Sequence, residues 1–282
     1  MPKFGGLQSM TRNINVHILH TGSVIVDSAL PFNHKKNLPL SWSGFIQTRS
    51  KHICLPVSIY LIEHPKGLVL IDTGWHESNR QPDYSKNAAS LSQKAILPKG
   101  QAVHEHLAKL GYQITDVDYV ILSHLHNDHV SGLPHVAQAH HIMVSDEEWS
   151  AANNNNNYEL GMCQNIPIDT FPLEHKGIGP TGKSYDLFND GTVEFIHTPG
   201  HSPGHCVTRI KRHKEADQFL LLTSNVGYAK SSWRHGILPK YVDDKDATIN
   251  SLNWVKVQAT NPNCIDAIAN HDPHIKPQII NL

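Results

Sequence analysis

The pattern His124-x-His126-x-Asp128-His129 follows directly on the apolar run Tyr119–Leu122, and this junction constrains the fold more than any other feature of the chain. Residues two apart on an extended backbone project to the same side, so both imidazoles leave the strand end together. Asp128 and His129 come next, where Gly132 and Pro134 predict a turn. Neutral imidazole with carboxylate is the donor set of zinc, and of iron or manganese where oxygen donors are more numerous. One segment cannot complete such a site, so the fold must bring other strand ends to this one. Histidine is abundant, with 22 in 282 residues. Chance alone produces the pattern in roughly one such chain in a hundred, so its context has to carry the argument.

That context is a succession of apolar runs punctuated by turns. Val57–Glu63 and Leu68–Asp72 flank His64-Pro-Lys-Gly67, which is hairpin chemistry, and the second run is apolar throughout, as in a strand buried on both faces. Ile14–His20 and Val24–Asp27, joined by Thr-Gly-Ser, predict an opening hairpin, and residues 31–56 a long loop. Later strands are predicted over Val193–His197, Cys206–Ile210, Phe219–Thr223 and Ile265–Ala269. Helices are predicted within Pro98–Gly111, from the capping box Ser145…Glu148 through Ala152, and over Asp246–Ala259, with a polar loop at 153–157. Strands followed by helices, twice over, predict an α/β protein of two packed sheets with helices outside. The expectation is one domain over residues 1–282, made of two intimate halves at roughly 1–190 and 191–282.

Charge is balanced, 24 Lys and Arg against 25 Asp and Glu, which argues against a nucleic-acid partner. Lys211-Arg212-His213-Lys214 reads as a solvated turn. No apolar stretch is long enough to span a membrane, and Met1–Gly6 lacks the apolar run of a secretory signal. Cys54, Cys163, Cys206 and Cys264 are widely spaced and read as reduced thiols, so a cytoplasmic protein is expected.

Further donors stand where the predicted strands end: Thr198-Pro-Gly-His201-Ser-Pro-Gly-His205, Ser224-Asn225, and Asn270-His271. Together with Asp72-Thr-Gly and the His124 pattern, this set resembles the metallo-β-lactamase superfamily over residues 14–275. The doubled Pro-Gly-His, the segment Thr223-Ser-Asn225-x-x-Tyr228 and Asn270-His271-Asp272 most resemble the N-acyl homoserine lactonases and related lactonases. The resemblance implies a four-layer αββα sandwich with two divalent metal ions, zinc or else iron or manganese, in the groove between the sheets. It implies His124, His126 and His201 as ligands of one ion, and Asp128, His129 and His271 as ligands of the other. Asp72 would orient a ligand imidazole, Tyr228 would place its hydroxyl near the substrate carbonyl, and Asp128 would pass a proton to the leaving alkoxide. His205, four residues after His201, reads instead as a structural residue hydrogen-bonded to backbone.

The expected reaction is hydrolysis of a small amphipathic lactone by a metal-bound hydroxide, with Phe32, Trp42, Phe45 and Ile46 a candidate wall for an acyl chain; a homodimer is admitted and not required. Asn225 departs from the pattern, because the family has a carboxylate there that bridges both ions. A carboxamide is neutral and bridges poorly. The sequence therefore leaves open a weak second ion, a mononuclear site, or an impaired homologue that binds without turnover. A thioester hydrolase of glyoxalase II type and a phosphodiesterase are the other readings of the same motif.

Overall fold

A computed structural model describes residues 13–32, 52–80, 93–155 and 158–282. Its first sheet contains β1 (Asn15–Asp27), β2 (His52–His64), β3 (Gly67–Ile71), β4 (Gln93–Ile96), β5 (Tyr119–Ile121), β6 (His141–Ser145) and β7 (Asp169–Phe171). The second contains β8 (Glu174–His175), β9 (Lys183–Asp186), β10 (Val193–His197), β11 (Cys206–Lys211), β12 (Phe219–Ser224) and β13 (Cys264–Ala269), after which β14 (Gln278–Asn281) returns to the first. Strand order is β14-β1-β2-β3-β5-β6-β7, with β4 also on β1, and β13-β12-β11-β10-β9-β8. From β3 to β7 the pairing is parallel, as it is between β12 and β13; the remaining ladders are antiparallel.

Alternation along the strands makes the layers. Tyr60, Ile62, Val69 and Ile71 of the first sheet meet Phe195, Ile210, Leu220 and Leu222 of the second in one buried cluster. The intervening residues face outward and are covered in turn. Ile59, Leu61, Leu70 and Val120 pack against Val103 and Leu107 of α1 (Val103–Lys109), Val130 of the single-turn α2 (Asn127–Val130) and Ala152 of α3 (Asp146–Asn154). On the far side, Phe219, Leu221 and Ala267 pack against Trp233 of α4 (Lys230–His235) and Leu252 and Val255 of α5 (Lys245–Ala259). The result is an αββα sandwich, and strands clothed on both faces have to be apolar throughout.

Four expectations are corrected. The opening hairpin is a single strand, β1, with a bulge at Thr21-Gly22 where its register against β2 shifts between His20 and Ser23. Gly22 has φ +79° and packs on the Ile96 carbonyl, so Thr-Gly-Ser makes a bulge and not a turn. β2 starts at His52, inside the expected loop; Pro56, which lacks an N–H, is tolerated because it faces Ser23 next to that bulge. The sheets also do not divide the chain near residue 190: the second begins at Glu174, and β14 crosses back to pair with Asn15–Ile18. Asn153 and Asn154, expected in a loop, close α3. Trp42, Phe45 and Ile46 lie outside the described residues.

Candidate metal centre

Strand ends supply every member of the site. Asp72 follows β3, Ser123 and His124 follow β5, and His126 caps α2, which carries Asp128 and His129. From the second sheet, His201 comes from the loop between β10 and β11, Asn225 from the end of β12 and His271 from the end of β13. Asp72 and Ser224 hold positive φ values of 62° and 44°. Left-handed backbone at a non-glycine residue costs about 1–3 kcal/mol, and both cases sit beside the cluster, which is where such strain is commonly stored.

Among the described residues two groups of ligand atoms converge, each within 4.8 Å: His124, His126 and His201, and Asp128, His129 and His271. In the first, His126 Nδ1 lies 2.9 Å from His201 Nε2. In the second, Asp128 Oδ2 lies 3.2 Å from His271 Nε2 and 3.7 Å from His129 Nε2. Asn225 is 2% exposed and spans the groups, its Nδ2 at 3.1 Å from His129 Nε2 and 3.4 Å from His201 Nε2. Tyr228 stacks on His271 with ring centroids 5.0 Å apart and meets His201 edge-on at 6.3 Å.

Outer hydrogen bonds turn three of the rings, those of His124, His129 and His271. The Asp72 carboxylate accepts from His129 Nδ1 (2.8 Å), from the Ser123 amide and hydroxyl (2.8 Å each) and from Asn270 Nδ2 (3.2 Å). His271 Nδ1 donates to the Pro56 carbonyl at 2.8 Å, and His124 Nδ1 lies 3.1 Å from Ser123 Oγ. Each contact occupies the outer nitrogen and leaves the Nε2 lone pair facing the cluster. His205 is wired differently: its Nε2 accepts the Asn225 amide at 3.0 Å and its Nδ1 lies 3.0 Å from Thr198 Oγ1. It serves the backbone of the loop.

Burial holds His124 and His201 well below the ordinary imidazole value and His126 near 4, so their rings are neutral at physiological pH. Burial would raise Asp128, but His129 and His271 beside it outweigh that and hold its carboxyl far below the usual range. Burial would likewise lower His129, and Asp128 with Asp72 reverses the sign. The fit to a cation is chemical as well as geometric. Buried His124 Nε2 and Asn225 Oδ1 have no hydrogen-bond partner, and three neutral imidazoles beside an ionised carboxylate are a metal's donors. The misfit is local to Asn225, whose Nδ2 faces two ring lone pairs that a cation would use.

The roles of four residues escape sequence reasoning, although three of them stand in segments the sequence singles out. Ser123 and Ser224, 2.8 Å apart through their hydroxyls, and Asn270 complete the Asp72 network. Glu148, expected to close a capping box, does accept that geometry at its amide, which donates to Ser145 Oγ at 3.2 Å. Its carboxylate turns away to Leu125, Ser202 and Gly204.

Imidazoles and a carboxylate gathered at strand ends between two helix-covered sheets define the chain as a metallo-hydrolase. It belongs to the metallo-β-lactamase superfamily, whose sequence profile matches residues 52–215. The N-acyl homoserine lactonase AttM of Agrobacterium fabrum is 30% identical over 223 residues, 78% of this chain and 82% of that protein. An N-acyl homoserine lactonase of a Bacillus species is 31% identical over 205 residues, covering 72% and 76%. Among solved structures, an N-acyl homoserine lactone hydrolase with N-hexanoyl-L-homoserine at its catalytic metal centre superposes with a TM-score of 0.72 at 23% identity, covering 92% of this chain and 93% of that one. The dizinc lactonase AidC gives 0.62 at 18%, covering 95% and 94%. At these identities the superpositions speak for a common fold.

Proposed function

We propose that the chain hydrolyses the ester of a lactone ring, that of an N-acyl homoserine lactone. The carrying observation is that Tyr228 and Asp128 stand among two convergent groups of ligand atoms, with an apolar wall adjoining Tyr228. The curated relatives that bear the lactonase name support the same substrate.

His124, His126 and His201 would hold one divalent cation and Asp128, His129 and His271 a second, with Asn225 facing both. Zinc is the ion expected of so many imidazoles; iron and manganese suit the carboxylate-bearing group as well. When bound, the cations supply Lewis acidity for the ring carbonyl and lower the pKa of water. The protein's own groups do the rest. Burial, with the Asp128 charge, keeps the Tyr228 hydroxyl above its ordinary pKa, so it stays protonated and able to donate to the carbonyl oxygen. Asp128 takes the proton of the attacking water and passes it to the ring oxygen as the ester bond breaks. Because its carboxyl is held so low, the proton rests there only in passing.

Phe32, Ala229 and Ile237, with Ile53 and Tyr228 packed on them, form a wall suited to an acyl chain. A reducing cytoplasmic setting belongs to the same proposal, since none of the four cysteines is paired. No helix among the described residues is long and apolar enough to cross a membrane.

The test is to assay metal-stripped and reloaded protein on homoserine lactones of graded acyl length, on thioesters and on phosphodiesters, with zinc, manganese and iron. Metal-dependent ring opening, faster on the lactones than on the other substrates, is expected. Preference for a thioester or phosphodiester overturns the reading.

A further inference from the structure

The three-histidine group is assembled from two separate loops, and one carboxylate spans them. His124 and His126 stand on the loop after β5, and His201 on the loop after β10. Between the first two, the Leu125 amide donates to Glu148 Oε1 at 3.0 Å. Next to His201, the Ser202 hydroxyl donates to Oε2 at 2.7 Å, and the Gly204 amide to the same oxygen at 2.9 Å. Each oxygen therefore serves one loop, and the width of the carboxylate sets the gap between them. Ser145, one turn earlier, adds a second tie by donating to the Gly204 carbonyl at 2.8 Å. Glu148 is wholly buried, and a side chain at Gly204 would fall 2.0 Å from its backbone nitrogen, so helix and loop meet at the closest approach glycine permits. The other group is oriented from elsewhere, by Asp72 and the Pro56 carbonyl.

We infer that Glu148 is a positioning residue that sets the spacing of the His124, His126 and His201 ligand group, and of that group alone; the inference rests on reading the group as a metal site. A carboxylate accepts on both sides at once, which no other side chain of this size does. In Glu148→Gln one side becomes an NH2. Ser202 can rotate its hydroxyl to accept, but a backbone N–H cannot, so either Leu125 or Gly204 loses its partner and one loop is released.

Two measurements on the full chain test this. Metal-stripped protein is titrated with cobalt(II) against a competing chelator in two backgrounds, His271→Ala, which leaves the three-histidine group, and His201→Ala, which leaves the other. Glu148→Gln should weaken cobalt binding about tenfold or more in the first background, and less than about twofold in the second. Ser202→Ala, a milder change, should show the same selectivity with a smaller loss. Equal losses in both backgrounds, or none in either, overturn the inference. Amide hydrogen exchange of the metal-free proteins is independent of loading: exchange at Leu125 or Gly204 should quicken in Glu148→Gln while the amides of β10 to β12 stay unchanged. Unchanged exchange at both positions overturns the clamp. Absence of cobalt binding in the unmutated chain would overturn the metal reading instead, while the exchange result would stand on its own.

Discussion

At Asn225 a single amide decides how much charge sits between the two ligand groups. Its Nδ2, 3.1 Å from His129 Nε2, donates to the lone pair a cation needs, whereas a carboxylate would add an acceptor and a negative charge at the same spot. Asn225→Asp should therefore raise both the metal bound per chain and the turnover, the latter by about tenfold; elemental analysis with lactone kinetics measures it, and equal values in the two proteins would refute it. Tyr228 calls for the opposite experiment. If its hydroxyl donates to the carbonyl oxygen as charge develops there, Tyr228→Phe should lower kcat by roughly tenfold and leave KM nearly unchanged. A change confined to KM would reduce Tyr228 to packing on His271.

Secondary-structure elements explain why the site was partly legible in the sequence. β10, β12 and β13 are apolar runs that stop at His197, Ser224 and Ala269, so the donors just beyond them could be picked out by position. β8 has two residues and β14 only Gln-Ile-Ile-Asn, too short to show a period, and both join sheets that other segments define. Asp72 and Ser224 carry positive φ, which no residue type there announces. Glu148 was hidden by ambiguity: Ser-x-x-Glu fits a capping box whether or not the carboxylate turns back, and here packing drew it into the interior. Thr-Gly-Ser suits a turn as well as the bulge that it forms in β1. The bulge is a stability determinant: Gly22→Ala would put a Cβ 2.1 Å from the Ile96 oxygen at φ +79°. Urea unfolding should show a loss of about 1–3 kcal/mol.

Buried and half-buried histidines couple the whole molecule to pH. Burial, the leading cause in each, lowers His205 to about 3 and His64, His126 and His135 to about 4, from an unfolded value of 6.5. Below 6.5 the unfolded chain takes up protons that the folded one refuses, so stability present above that pH is lost as pH falls towards 4. The melting temperature of metal-free protein should fall steadily across that window, with His129, raised by its acidic neighbours, opposing the trend. A flat profile from pH 7 to about 5 would contradict this.

The return of β14 to β1 has a consequence for the living cell, where the chain emerges from the ribosome in order. β1 is made first among the described strands and waits for β14, the last of them, while nearly everything else is synthesised. Until then the outer edge of Asn15–Ile18 offers unpaired backbone groups to any other nascent strand. His271 emerges only just ahead of β14, so the site gains this donor at the same late moment that the sheet gains its edge. Translation that stalls before this point would leave a chain with an open sheet edge and an incomplete ligand set, a natural target for chaperones and proteases.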